Sequence, residues 1–562
     1  MGSLLRLSRC QLAAGSAAFC CAAIVLYATR HDPVLSPDSV SYLSTAAHLR
    51  SGQGFTEFTG QPLTVFGPVL PMLLAAGGRS LLWARLVGAT AVAGSTWLMF
   101  VLLGRRVRPL AAVLAAVAFG LSQGLIRVGS TVWSETPFIL IALTALVVLT
   151  AEPLSERRAA FGGLLCGLGF LTRYAGVGLI ITGACVVVSA MLTSAASGGR
   201  RSLGDVEPER WVPADVGARV EPGVGVGFGP GVGARVEPGV GVGVGVGFGP
   251  GVGAGIAGRR TLRMLAIHLG AAVGVCAIWI VRNLIETGEA LGPRFSGGSS
   301  DSLEVLLRRT SDSVGELIFG NQASPRFDHF GGLAVLILLT VAAVVALIKR
   351  PFRTLDIAAA IFALTSLAIP IAARRMTASD IEFRVLSPLL IPVVYFAAIA
   401  LDRVRIKPVA LILCTALIGW WAFEGIAMAQ RTPEIVLIGV GSRTQFSREL
   451  YDLIDTLPID ANVLTNNPQR VWWQNHREPT LFAFARPRAG NSNYPLSPTD
   501  TLRYACLPHT YLAWFGSLAN AGDGPADRRP DLAAIIDLTI TNAVPGGVMY
   551  LLSAHDSTQC PH

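Results

Sequence analysis

Long apolar runs dominate this chain and restrict the folds open to it. About eleven of them approach the roughly 20 mostly apolar residues that a membrane-spanning helix needs. Their approximate limits are 10–29, 81–103, 109–127, 135–151, 159–172, 174–192, 264–284, 330–348, 354–372, 385–401 and 408–427. Only 14% of the residues are charged, whereas an ordinary soluble domain has roughly a quarter. The sequence therefore predicts a polytopic α-helical membrane protein.

Basic residues cluster in alternate connections between these runs. The clusters are Arg105-Arg106-Arg108, Glu156-Arg157-Arg158, the Arg200–Arg263 segment, Lys349-Arg350-Arg353 and Arg403-Arg405-Lys407. Because basic loops are retained in the cytoplasm, the pattern predicts a cytoplasmic N-terminus. The segments then expected outside the cytoplasm are 30–80, 127–135, 285–329, 373–384 and 428–562. The net charge of +9 thus reflects membrane topology, and we expect no nucleic-acid partner.

The stretch 169–176, with the sequence GFLTRYAG, leaves the topology open at one point, because almost no loop separates its two apolar runs. A single long kinked helix is the alternative. It would reverse the orientation of every later span and move the later basic connections outside. We therefore expect two helices that meet at Arg173.

Residues 193–262 differ in composition from the rest of the chain. The unit VGARVEPGVGVGFGPG at 216–231 recurs at 232–251 with two extra Val-Gly pairs. Such glycine-rich sequence loses much backbone entropy on folding, so we expect a disordered cytoplasmic insert. It would separate an N-terminal membrane module, residues 1–192, from a C-terminal one, residues 263–429. A tether or partner site is the alternative to a neutral repeat expansion.

Residues 430–562 follow the last apolar run and alternate helix-like with short strand-like segments, at 449–458, 461–467, 468–478, 480–485, 510–516 and 547–554. This pattern predicts a small α/β domain outside the cytoplasm. Cys506 and Cys560 are the two cysteines in polar sequence. Because the predicted compartment is oxidising, we expect them to form a disulfide.

Two acids in the predicted external segments are candidates for chemistry. Asp38 begins an amphipathic helix, so either Asp38 or Ser36 could simply cap that helix. Glu135 follows Ser134 at another helix start and has the same ordinary explanation. The predicted topology nevertheless places both acids on one face of the membrane. There they could share a divalent metal ion, Mg²⁺ or Mn²⁺, or divide the work of activating an acceptor and ordering the site.

Several arginines lie at the external ends of spans, against the orientation bias of the other loops. They are Arg173, Arg282, Arg294, Arg374, Arg375 and Arg384. An arginine at a helix end usually extends to the lipid phosphates. A guanidinium group also binds phosphate through two parallel hydrogen bonds, which suits a lipid phosphate substrate. We favour Arg173 and Arg384 for that role, because each lies at a junction between spans.

Four stretches together resemble a known family. They are the first external loop, which contains Pro37-Asp38-Ser39, Tyr42 and Phe66-Gly67-Pro68, then SETPF at 134–138, GLGFLTRY at 167–174 and RVLSP at 384–388. Over roughly residues 10–430 the chain resembles GT-C fold glycosyltransferases. More narrowly, it is similar to the bacterial protein mannosyltransferase and aminoarabinose transferase group, glycosyltransferase family 39.

This resemblance implies an enzyme of the bacterial inner membrane. It would move a sugar from a polyprenyl-phosphate carrier to a glycan, lipid or protein acceptor on the outer face. Asp38 matches the acid that serves the family as catalytic base or metal ligand. Tyr42, Arg173 and Arg384 lie within the resembling stretches, and together with Arg282 they are the candidates for substrate binding. The protein mannosyltransferases usually have two adjacent acids, whereas here Ser39 follows Asp38, so Glu135 is the expected second acid by its position.

Two other classes of function stay open at this stage. A secondary transporter or lipid flippase is one, although such proteins usually carry inverted repeats and broken helices at mid-membrane depth. A non-catalytic scaffold of the cell envelope is the other, with residues 430–562 as its binding part.

Overall fold

The computed structural model describes residues 2–78, 80–204, 250–292, 301–320, 325–348, 353–377, 380–404, 407–438, 448–482, 498–516 and 530–556, with 525, 558 and 560 as single positions. Helices form most of it, together with one small sheet.

Every predicted apolar run lies in helix. The α-helices described between residues 2 and 438 are α1 (Gly2–Ala28), α2 (Pro37–Arg50), α3 (Val69–Ala75), α4 (Leu81–Leu103), α5 (Pro109–Leu121), α6 (Gln123–Gly129), α7 (Glu135–Leu149), α8 (Glu156–Thr172), α9 (Val177–Gly204), α10 (Pro250–Thr287), α11 (Leu303–Phe319), α12 (Pro325–Ile348), α13 (Thr354–Thr377), α14 (Phe383–Leu386), α15 (Leu390–Arg403) and α16 (Lys407–Ile438). Buried side chains of most of these helices form one continuous apolar core, whereas those of α2 and α3 belong to a second cluster.

The number of spans differs from the prediction. Within the described ranges, seven helices are long and apolar enough to cross a membrane, or up to eight if the bent pair α5 and α6 counts as one. The axes of that pair differ by 51° at Ser122, whose backbone is extended. Helix α7 is apolar but short. The chain is a multi-pass membrane protein, while the count of eleven spans stays a prediction.

The junction at Arg173 separates two helices, as expected. Helix α8 ends at Thr172, Arg173 is extended with φ −150° and ψ 133°, and a short 3-10 turn leads into α9. Gly176 permits this close turn, since a Cβ there would lie 2.5 Å from backbone atoms of Gly169. The alternative of one kinked helix is wrong.

The predicted disordered insert lies largely outside the described residues. Its flanks, 193–204 and 250–262, are helical continuations of α9 and α10. Extending an existing helix adds one hydrogen bond for each residue that is ordered, so the membrane helices continue beyond their apolar runs.

Five strands form the sheet near the C-terminus. They are β1 (Asn462–Thr465), β2 (Thr480–Leu481), β3 (Thr510–Phe515), β4 (Ile536–Val544) and β5 (Gly547–Ala554). Their order is β2-β1-β3-β5-β4, with β1 parallel to β2 and β3, and β5 antiparallel to β3 and β4. The helices around them are α17 (Arg448–Thr456), α18 (Pro468–Asn475), α19 (Pro498–Ala505) and α20 (Pro530–Ala533). A disulfide joins Cys506 to Cys560, whose Cα atoms are 5.6 Å apart.

The sheet region packs against α2. Trp472 and Trp473 of α18 contact the apolar cluster that contains Val40 and Leu43. Beside them, His48 Nε2 lies 3.3 Å from a carboxylate oxygen of Glu478. The helix that carries Asp38 is therefore supported both by the membrane helices and by the sheet region.

Candidate active site

Asp38 does not cap the helix that it begins. Ser36 is the N-cap: its hydroxyl accepts a hydrogen bond from the backbone N–H of Ser39, and the Ser39 hydroxyl accepts one from the N–H of Ser36. This capping box uses both serines and leaves the Asp38 carboxylate for other partners. The choice between Asp38 and Ser36 as the cap is thereby decided in favour of Ser36.

Asp38 pairs instead with Arg384, at the start of α14. The Nη1 group of Arg384 donates to Asp38 Oδ2 at 2.6 Å, and its Nε group donates to Glu382 Oε2 at 2.7 Å. The guanidinium carbon also lies 5.0 Å from the centre of the Trp133 ring. About a quarter of each side chain of the Asp38–Arg384 pair is exposed. The pair is thus oriented on three sides yet accessible to a ligand.

Two loops meet beside this pair. Val34 and Thr131 form an isolated parallel bridge, which ties the segment before α2 to the segment before α7. The indole N–H of Trp133 donates to the hydroxyl of Ser36 at 2.7 Å. The same bridge brings the start of α7, with Glu135, toward the start of α2, with Asp38.

Glu135 pairs with Arg173, at the end of α8. Glu135 Oε1 lies 2.6 Å from Arg173 Nη1, although that group is not aligned for a hydrogen bond. The side chains are 4% and 14% exposed, so this is a buried ion pair. Tyr42 lies near both acids and donates to the hydroxyl of Ser134 at 3.2 Å. Burial raises the pKa of Tyr42, and the charges of both acids raise it further, so the phenol stays protonated.

Arg282 anchors the first loop. Its guanidinium donates to the carbonyl oxygens of Leu63 and Phe55 at 2.6 and 3.0 Å. The Tyr174 hydroxyl, next to Arg173 in sequence, donates to the Thr64 carbonyl at 2.6 Å. These contacts hold the turn of the first loop against α10 and the α8–α9 junction.

The other arginines of the group differ in their surroundings. Arg374 donates to Asp301 and Asp380, at 2.9 Å each, within a network of charges. Arg294 lies outside the described residues. Of the arginines predicted to bind substrate, Arg384 and Arg173 contact the two candidate acids, whereas Arg282 acts on the loop backbone.

The donor set for a metal ion is sparse. The structure, as far as it is described, contains no group of three or more His, Cys, Asp or Glu side chains placed to hold one. Asp38 and Glu135 each already contact an arginine, which is itself a cation. These residues do not fit a protein-built metal site, so we derive no step through a metal.

Sequence reasoning missed two residues of the site. Glu382 shares Arg384 with Asp38, and Trp133 contacts both Arg384 and the cap of α2. Glu382 precedes Arg384 by two positions and Trp133 precedes Glu135 by two, and both of those neighbours were singled out from the sequence. Their partners lie on other segments, so no local signal marks them.

Comparison with known proteins relates the chain to solved structures. No family model and no curated protein sequence matches. The structure of the aminoarabinose transferase ArnT from Cupriavidus metallidurans bound to undecaprenyl phosphate is 10% identical, with a TM-score of 0.56 over 100% of this chain and 99% of that one. The apo structure of the same transferase is 11% identical, with a TM-score of 0.55 over 96% and 97%.

The chain has the GT-C fold. Similarity over almost the full length of both chains includes the sheet region as well as the membrane helices. The resemblance that the four sequence stretches carry is thereby confirmed at the level of the fold. A weaker likeness, with a TM-score of 0.49 and 13% identity, relates 97% of the chain to 74% of the oligosaccharyltransferase AglB from Archaeoglobus fulgidus.

Proposed function

We propose that this protein is a membrane glycosyltransferase that moves a sugar from a polyprenyl-phosphate carrier to an acceptor on the extracytoplasmic face. The observation that carries the proposal is the Asp38–Arg384 pair. It joins a carboxylate that can accept a proton to a guanidinium that can bind a phosphate, within one partly exposed site. The similarity to a structure with bound undecaprenyl phosphate supports the same class of donor.

The reaction divides between the two members of the pair. The Asp38 carboxylate takes the proton of the acceptor hydroxyl while the acceptor oxygen attacks the anomeric carbon of the sugar. The bond between that carbon and the phosphate oxygen breaks, and polyprenyl phosphate leaves with the electron pair. Arg384 stabilises the negative charge that develops on the phosphate. Because Arg384 and Asp38 are already in contact, base and phosphate ligand are held in fixed relation.

Glu135 and Arg173 form the second half of the proposed site. The Arg173 guanidinium lies beside Glu135, with its Nη1 group 2.6 Å from Glu135 Oε1, so a phosphate in the site would meet a cation that is already held there. Glu135 holds this arginine in place. Tyr42, protonated and hydrogen-bonded to Ser134, ties α2 to the start of α7, where Glu135 lies.

Transfer in proteoliposomes tests the proposal. Purified full-length protein receives a panel of polyprenyl-phosphate-linked pentoses and hexoses together with extracted envelope acceptors, and mass spectrometry follows the release of free polyprenyl phosphate. We expect release with at least one donor, and none in liposomes without protein. Movement of intact donor across the bilayer without cleavage would indicate a flippase. Chelation with EDTA in the same assay determines whether Mg²⁺ or Mn²⁺ takes part.

A further inference from the structure

A second charged cavity lies at the far end of the helix bundle from Asp38. It occupies about 260 Å³ between α12, α13 and α15. Helix α13 separates it from the candidate active site: Asp356 lies in the first turn of that helix, and Arg384 follows its last. With 24 residues, α13 is about 36 Å long. The cavity is therefore distinct from the active site and lies where the helices end in basic connections.

Three arginines and one acid line the cavity: Arg106, Arg353, Arg403 and Asp356. Arg106 makes two parallel hydrogen bonds to Asp356, at 2.9 and 3.1 Å, and the Tyr395 hydroxyl donates to the same carboxylate. Asp356 therefore already accepts three hydrogen bonds. The charge that it neutralises is that of Arg106.

Arg353 and Arg403 remain as the available cations of the cavity. Both are exposed, and no ion pair joins either of them to another described residue. The cavity thus carries two excess positive charges at its rim. Two guanidinium groups that line one cavity suit a phosphate, which accepts hydrogen bonds from several directions.

The rest of the lining is apolar. It consists of Ala342, Val345 and Ala346 from α12 and Phe396, Ile399 and Ala400 from α15. On the neighbouring surface of α12, Val344 and Ile348 are 44% and 71% exposed, as expected for a helix face toward acyl chains. A free anion gains nothing from contact with apolar side chains. A lipid, in contrast, places its phosphate at the helix ends and its acyl chains along the helices.

We propose that this cavity binds the phosphate of an anionic phospholipid. Arg353 and Arg403 contact the headgroup, and the first acyl carbons lie between α12 and α15. Under the predicted topology the lipid belongs to the cytoplasmic leaflet, where basic pockets between membrane helices bind anionic headgroups. The site would anchor the ends of α12, α13 and α15, independently of the transfer reaction.

Native mass spectrometry of the delipidated full-length protein tests the proposal, with phosphatidylglycerol as the probe. Phosphatidylcholine is the zwitterionic comparison, and inorganic phosphate is the free-anion competitor. We expect Arg353→Gln combined with Arg403→Gln to weaken phosphatidylglycerol binding by about 30-fold, the factor for two arginines near a membrane surface. We expect millimolar inorganic phosphate to leave that binding in place.

The matched control combines Arg157→Gln with Arg263→Gln, which removes two exposed arginines from the same predicted face. It should leave the affinity for phosphatidylglycerol within about twofold of the wild-type value, because these charges are screened by solvent. Ala346→Phe fills the cavity without a change of charge and should also abolish tight binding. Equal loss in the control, full competition by inorganic phosphate, or unchanged binding in both the arginine pair and Ala346→Phe would overturn the proposal.

Discussion

Replacing Asp38 by asparagine removes the proposed base and leaves the structure of the site nearly unchanged. Asparagine has nearly the same shape and keeps an oxygen for Arg384 Nη1, but it cannot take a proton from an acceptor. Arg384 also retains Glu382, 2.7 Å away, so the substitution leaves no guanidinium without an acid. Because the pair is partly exposed, we expect the free energy of unfolding to fall by at most about 1 kcal/mol.

The expected loss of activity is much larger. General-base assistance contributes about 10²–10⁴ in rate, so Asp38→Asn should lower kcat by that factor, which equals about 2.7–5.5 kcal/mol in the barrier. The assay is the single-turnover release of polyprenyl phosphate in proteoliposomes, with the melting temperature measured on the same preparation.

Glu382→Gln is the matched control. It makes the same chemical change and removes a charge from the same arginine, but its carboxylate is 47% exposed and lies outside the proposed proton path. We expect it to keep kcat within about fivefold, as an exposed pair contributes at most about 1 kcal/mol. Turnover of Asp38→Asn above about a tenth of the wild-type value, or equal losses in both variants, would refute Asp38 as the base.

Three further predictions concern the support of the site. Glu135→Gln leaves the buried Arg173 without its acid and should lower the free energy of unfolding by about 3–5 kcal/mol, with partial recovery when Arg173→Gln is added. Thermal unfolding of the two single variants and the double variant measures this effect, and additive losses would contradict it. Gly67→Ala places a Cβ 1.9 Å from the Leu171 carbonyl oxygen, so it should displace the first loop from α8 and lower both melting temperature and transfer. Cys506→Ser opens a loop whose ends are 54 residues apart and should destabilise the sheet region by about 4 kcal/mol, which limited proteolysis would detect as earlier cleavage there.

Much of the fold is readable from local pattern. Apolar runs of membrane length became helices, and α4 has the predicted limits, Leu81–Leu103. In the sheet region the patterns located β1, β2, β3 and β5, while β4 was missed. Its Ile536, Leu538 and Ile540 do alternate, and that period of two could have revealed it. The helix α11 was also missed, because it lies in a segment taken for an external loop.

The sequence by itself determined the membrane class, the two-helix junction at Arg173 and the acids worth testing, because hydropathy, charge bias and capping act over a few neighbouring residues. Only the tertiary structure decided which arginine each acid meets. Asp38 and Arg384 are 346 positions apart, and no periodicity encodes that contact. It exists because the tertiary structure brings the starts of α2 and α14 together, where a carboxylate that is only partly exposed to water is stabilised by a cation beside it.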